Sequence, residues 1–161
     1  MSIQYAQQVG KALKDTGQTL AVAESCTGGL IGHLLTEVPG SSDYFLGGII
    51  AYSNQAKQEH LGVSEETLKN HGAVSQQTAA QMAAGARDAL GANLAISVTG
   101  VAGPTGGSPE KPVGLTWIGL ASSEGTRAEK FRFDGDRTQN KLLAATAALK
   151  LLLNHLGGAD G

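Results

Sequence analysis

Two short stretches hold residue types that could perform metal-free nucleophilic chemistry. Residues 23–29, "AESCTGG", place a Ser, a Cys and a Thr ahead of two glycines, between the apolar run "TLAV" and the helically spaced "LIGHLLTEV". Amides at a glycine-rich helix start attract negative charge. A hydroxyl there, Ser25, could therefore act as nucleophile, its oxyanion held by amides around Thr27 and Gly28. An ordinary helix cap is the competing role for Ser25. Cys26 reads as a small buried filler. The stretch "AYSNQAK", residues 51–57, supplies a base. Lys57 opens a helix just past a strand end, where burial would lower its pKa towards neutrality. A neutral amine can take a serine proton and later pass it to a leaving amine. Tyr52 and Asn54 would order that proton path, and a solvated surface lysine is the alternative.

Two further segments suit ligand binding. Residues 97–114, "SVTGVAGPTGGSPEKPVG", form a long Gly/Pro loop in which Thr99, Gly100 and Gly103 offer hydroxyl and amide donors. Loops of this length are usually functional or disordered, and here the prolines and flanking strands favour order. No GxxxxGK[ST] pattern occurs, so it is not a Walker loop. The stretch "FDGDR" ends at Arg137, whose guanidinium could grip a phosphate at a helix start; equally, Asp136 could cap that helix and leave Arg137 solvated. The four histidines, His33, His60, His71 and His155, lack metal-ligand spacing, so no metal or cofactor is expected.

Positioning these residues requires a particular order of elements. Helical spacing over Ile3–Leu13 precedes a strand at Thr19–Ala23, a helix through Val38 and a β-type run at Phe45–Tyr52. Short helices follow at Asn54–Leu61 and after Ser64, then a longer one from Ser75 to Gly91. Leu94–Val98 is a buried strand, Val113–Ala121 and Ala128–Phe133 pair as a hairpin, and a helix through Leu142–Leu156 closes the chain. This order predicts an α/β fold: a three-layer α/β/α sandwich with a mixed, mostly parallel sheet of about five strands. Ligands of such folds bind beyond the carboxyl ends of the parallel strands. Ser25, Tyr52 with Lys57, and Thr99 with Gly100 each follow a strand, so all should open onto one sheet edge.

The bulk composition narrows the classes. A chain of 161 residues suits a single domain, 1–161, with a frayed tail at 157–161. Aromatics reach only 4%, so Ala, Val, Leu and Ile must build the core. A net charge of −2, without a basic stripe, argues against nucleic acid as partner. The lone Cys26 fits a reducing compartment. No apolar run approaches the ~20 residues that span a bilayer, and the start of the chain lacks a secretory signal. A cytoplasmic protein with no membrane partner is expected.

Together, "AESCTGGLIG", "VPGSSDYFLGGIIAYSNQAK", "HGAVS", "SVTGVAGPTGGSPEKPVG" and "FDGDR" closely resemble the CinA C-terminal domain family, in the family's order and over about residues 5–155. That family includes a stand-alone bacterial nicotinamide-nucleotide amidohydrolase. The resemblance implies hydrolysis of the carboxamide of nicotinamide mononucleotide to nicotinate mononucleotide and ammonia, a salvage step toward NAD. It implies a metal-independent Ser/Lys dyad, a three-layer α/β/α fold, and a homodimer or higher homo-oligomer. Lys57 is the basic partner, while Ser25 and Ser42 of "PGSS" both occupy family motifs. Geometry favours Ser25, because Ser42 precedes its strand and should lie at the other sheet edge, unless that segment folds back or a neighbouring subunit contributes. Tyr52, Thr99 and Arg137 occupy motif positions expected to meet substrate. The competing class is a non-catalytic module that binds a pyridine nucleotide or serves in competence and DNA-damage responses.

Overall fold

A computed structural model describes residues 2–158. Helix α1 (Ser2–Thr16) leads into strand β1 (Leu20–Glu24), followed by α2 (Leu30–Thr36) and β2 (Phe45–Ile50). Three helices come next: α3 (Asn54–Leu61), α4 (Glu65–His71) and α5 (Gln76–Leu90). Strands β3 (Leu94–Gly100), β4 (Leu115–Ser122) and β5 (Gly125–Arg132) then precede the long α6 (Arg137–His155). The strands form one sheet in the order β2-β1-β3-β4-β5. β1 pairs in parallel with both β2 and β3, while β4 runs antiparallel to β3 and to β5. Four of the five strands thus point the same way, giving the expected mixed, mostly parallel sheet between two helical layers.

The two sheet faces differ in side-chain size. Leu20, Val22, Leu94, Ile96, Val98, Ile118 and Leu120 pack against α1, α2 and α6. The opposite face offers Ala21, Ala23, Ala95 and Ala121, which meet α3 and α5. Alternation along each strand produces this division, because neighbouring side chains point to opposite faces. Burying one of the large aliphatics contributes about 1.5–3 kcal/mol. The small face lets α5 come close. A Cβ on Gly119 of β4 would collide with the Ala79 carbonyl of α5, and Ser97 donates its hydroxyl to that same carbonyl at 2.6 Å. A Cβ on Gly85 would strike the Leu61 carbonyl, so α5 is also pressed against the end of α3, the helix that carries Lys57.

Strand limits shift at the sheet edges. β5 begins at Gly125 rather than Ala128, because polar Thr126 and Arg127 lie on an exposed outer strand where apolar pattern is not required. β3 runs on to Gly100, so Thr99 and Gly100 belong to the ladder opposite Trp117 and Thr116. Helix α6 ends with the Gly157 amide on Asn154 O and the Gly158 amide on Leu153 O, with Gly157 left-handed at φ 80°. This is a Schellman closure. Of the tail expected to fray, 157 and 158 are therefore tied to the helix, and 159–161 lie outside the described residues. No described helix is long and apolar enough to cross a membrane.

Candidate active site

The register sets β1, β2 and β3 level at their carboxyl ends, Glu24 standing opposite Ile50 on one side and Val98 on the other. The ladder continues one step further, the Ser25 amide bonding Val98 O at 3.0 Å and the Ala51 amide bonding Glu24 O at 2.9 Å. From β1 the chain leaves through α2 on one face and returns to β3 through α5 on the other. Ser25 therefore sits at the β1/β3 switch point, where open α/β sheets bind ligands. A cleft of about 270 Å³ opens there, and its lining includes Ser25, Cys26, Tyr52, Lys57, Thr99 and Arg137. A larger hollow of about 430 Å³ between β5 and α6 has mainly apolar walls, among them Phe131, Phe133 and Leu143, and brings no nucleophile against a base.

Lys57 is 1% exposed. Its Nζ lies 3.0 Å from Ser25 Oγ and donates to Ala51 O and Tyr52 O, both at 3.1 Å. The helix that holds it starts cleanly, the Ser53 hydroxyl accepting the Ala56 amide at 3.0 Å. Burial, the larger influence, pulls the Lys57 pKa below the ordinary 10.5, while the adjacent Cys26 opposes it in smaller measure. A neutral amine has two N–H donors and one lone pair. As an ammonium Nζ donates to all three oxygens around it; once neutral, it keeps two donors for the carbonyls and turns its lone pair to the Ser25 hydroxyl.

Ser25 caps nothing. Position Gly29, left-handed at φ 106°, begins α2 without any side-chain cap of its own. The helix start is instead closed by Glu24, whose role the sequence reading missed. Glu24 Oε1 accepts from Thr27 Oγ1 (2.7 Å) and from the amides of Gly29 (3.2 Å) and Ile31 (2.9 Å), while Oε2 accepts the Gly32 amide at 3.0 Å. This buried carboxylate holds the turn on which Ser25 stands. Glu24→Ala would leave four donors unmatched, so a stability loss of about 3–5 kcal/mol is expected. Urea unfolding measures it, and Glu24→Gln should recover part of the loss.

Occupation of these donors also changes which amides face a ligand. The Thr27 hydroxyl turns inward to Glu24, and the Gly28 amide bonds Ser25 O at 3.1 Å. The structure does not bring the Gly28 amide to the cleft. Among the described residues, the Thr27 amide has no hydrogen-bond partner and the Cys26 amide meets only its own thiol; both directly follow Ser25 in the chain. Burial pushes the Cys26 thiol up to about 11, against smaller pulls from its own backbone amide, Lys57 and Lys141. Cys26 is thus a protonated, buried thiol and a poor nucleophile.

The remaining walls are equally specific. Thr99 Oγ1 donates to Ala73 O at 2.8 Å, fixing the "HGAVS" turn so that Ala73 and Val74 line the cleft. Gly103 is left-handed at φ 86°, with no room for a Cβ against Val113, and its carbonyl accepts from Arg137 Nη1 at 2.7 Å. Gly100 likewise lacks space for a Cβ, which would stand 2.7 Å from Thr116 Oγ1. Arg137 Nη2 donates to the Tyr52 hydroxyl at 3.2 Å, so one side chain spans the mouth. Asp136 meanwhile caps α6 on the Gln139 amide at 2.9 Å, as one of the two readings of "FDGDR" expected, while Arg137 is exposed and turned to the cleft mouth. Asn140 is a further residue the sequence did not mark: it accepts the Gly135 amide at 2.9 Å and donates to Ala102 O at 3.0 Å, tying the loop to α6. Ser42 lies in the short 3₁₀ turn Ser41–Asp43, exposed and ahead of β2. The six residues of β2 separate that edge from Lys57 by roughly 17 Å, so the chain itself does not bring Ser42 to the amine.

Similarity to known proteins agrees with this architecture. The model of the CinA C-terminal domain matches residues 2–156. A CinA-like protein of Salinibacter ruber is 54% identical over 142 residues, covering 88% of this chain and 34% of its own. A CinA-like protein of Thermotoga maritima is 45% identical over 152 residues, covering 94% of this chain and 37% of its own. The chain thus spans about a third of the length of the curated relatives it matches. Among solved structures, the competence/damage inducible protein CihA of Agrobacterium tumefaciens superimposes at a TM-score of 0.92 with 43% identity, over 97% of this chain and 95% of its own. A CinA superfamily protein of Klebsiella pneumoniae gives 0.94 with 31% identity, over 98% of each. Sequence and fold agree over nearly the whole length, and the chain belongs to the CinA C-terminal domain family.

Proposed function

We propose that this chain hydrolyses the carboxamide of nicotinamide mononucleotide, with Ser25 as nucleophile and Lys57 as general base. The observation that carries the reading is the buried Lys57 amine, held by two carbonyls with its third position on Ser25 Oγ at 3.0 Å. Lys57 takes the hydroxyl proton as Ser25 Oγ bonds to the carboxamide carbon. The pyridinium ring withdraws electrons from that carbon and eases the attack. The oxyanion rests on the Cys26 and Thr27 amides. Collapse breaks the C–N bond, the Lys57 ammonium returns its proton to the leaving nitrogen, and ammonia departs. Water, deprotonated by Lys57, then cleaves the Ser25 ester to give nicotinate mononucleotide and the free hydroxyl. We place this salvage reaction in the cytoplasm.

Purified protein incubated with nicotinamide mononucleotide should release one ammonia per nicotinate mononucleotide in a continuous assay, with chelator leaving the rate unaltered. No ammonia at any pH from mildly acidic to the ordinary lysine range rejects the amidase. Recovery of the intact nucleotide on the protein would then support a binding module.

A further inference from the structure

The phosphate of such a substrate needs a positive group that the reacting pair does not supply. The start of α2 is closed to it, since the Glu24 carboxylate already takes the amides of Gly29, Ile31 and Gly32 and would repel a second anion. Arg137 reaches the mouth, with its guanidinium also engaged by Gly103 O and the Tyr52 hydroxyl. Four residues later, on the same face of α6, stands Lys141. Its Nζ lies 3.8 Å from where a Cβ on Gly28 would project, so it overhangs the turn that bears Ser25. Lys141 is half-buried, and it has no ion-pair partner among the described residues. Its charge is also felt at the Cys26 thiol, one residue from the nucleophile.

We propose that the Lys141 ammonium, together with the Arg137 guanidinium one turn earlier, forms a subsite for a phosphate monoester and makes the cleft select a nucleotide over its nucleoside. The proposal rests on reading the site as an amidase for a nicotinamide nucleotide. The Gly28 backbone, left-handed at φ 62°, keeps that position free of a side chain and leaves the space beside Nζ open. Two cations one helical turn apart can share the oxygens of one phosphate, and a chain of net charge −2 has no general positive field to replace them.

The test compares ammonia release from nicotinamide mononucleotide and from nicotinamide riboside by the wild type and by Lys141→Ala, each checked for folding by circular dichroism. The ratio of the two kcat/KM values should fall about 10–100-fold in Lys141→Ala, chiefly through KM for the nucleotide, and Lys141→Arg should restore most of it. A ratio within about twofold of the wild type, well under one hydrogen bond to a charged group, overturns the subsite while leaving the amidase standing. Should neither compound release ammonia, calorimetric titration with nicotinate mononucleotide and nicotinate riboside decides separately. Loss of the phosphate-dependent affinity in Lys141→Ala then upholds the subsite without the amidase; an unaltered difference between the two ligands rejects it.

Discussion

Ser25→Ala is expected to lower ammonia release from nicotinamide mononucleotide by about 10⁴–10⁶-fold while the nucleotide still binds. The size follows from the role: without the hydroxyl no ester can form, and only binding and the amide donors remain to assist water. The variant should fold, because the Ser25 side chain caps no helix and its amide bond to Val98 O is retained. Mass spectrometry adds a second readout, since brief incubation of the wild type should add a nicotinoyl-nucleotide ester to the peptide containing Ser25. Ser42→Ala provides the contrast. Its exposed position at the far sheet edge predicts a rate near that of the wild type. If Ser42→Ala were the dead variant and Ser25→Ala the active one, the nucleophile would have to come from a neighbouring subunit.

The second large effect belongs to Lys57. Lys57→Met should reduce kcat by about 10²–10⁴-fold, the usual contribution of a positioned base. Its pH profile is more diagnostic than its size. Burial lowers the Lys57 pKa, so the wild-type rate should rise with pH as the ammonium loses its proton, and level off above that lowered value. The methionine variant should lose this rising limb. Stability has a matching sign. Between the lowered pKa and 10.5 the unfolded chain holds a proton that the folded chain has shed, so folding stability attributable to this group increases with pH across that window and is smallest below it. Unfolding midpoints of wild type and Lys57→Met, compared at several pH values, should diverge in that direction. A wild-type profile without a lysine-dependent limb would remove the amine as base.

How much of this was legible in the sequence depends on the range of each interaction. Lys57 could be found because a strand end and a helix start flank it within a few residues. Ser25 could be found for the same reason, and the common sheet edge followed from element order alone. Glu24 could not. It reads as the polar end of an apolar strand, and its meaning emerges only when the Gly28 and Gly29 turn, left-handed at φ 62° and 106°, folds the next helix back over its carboxylate. That same turn also commits the Gly28 amide to Ser25 O and leaves the Thr27 amide without a partner. Asn140 and Lys141 were hidden for another reason: both lie on a helix whose spacing announces only its apolar stripe. Both side chains reach loops more than 30 residues away in sequence, Asn140 through its 3.0 Å bond to Ala102 and Lys141 by lying over Gly28.

Arg137, which spans the mouth, belongs to the last helix, and this has a bearing on synthesis. Ser25 and Lys57 are both translated ahead of α6, yet α6 also supplies Ala144, Ala145, Ala148, Leu149 and Leu152 to the core that covers α1 and α2. While those positions are still inside the ribosome, the nascent chain has an uncovered greasy layer and an unfinished entrance. That layer closes only when α6 docks, so the entrance and the core beneath α6 are completed in one step.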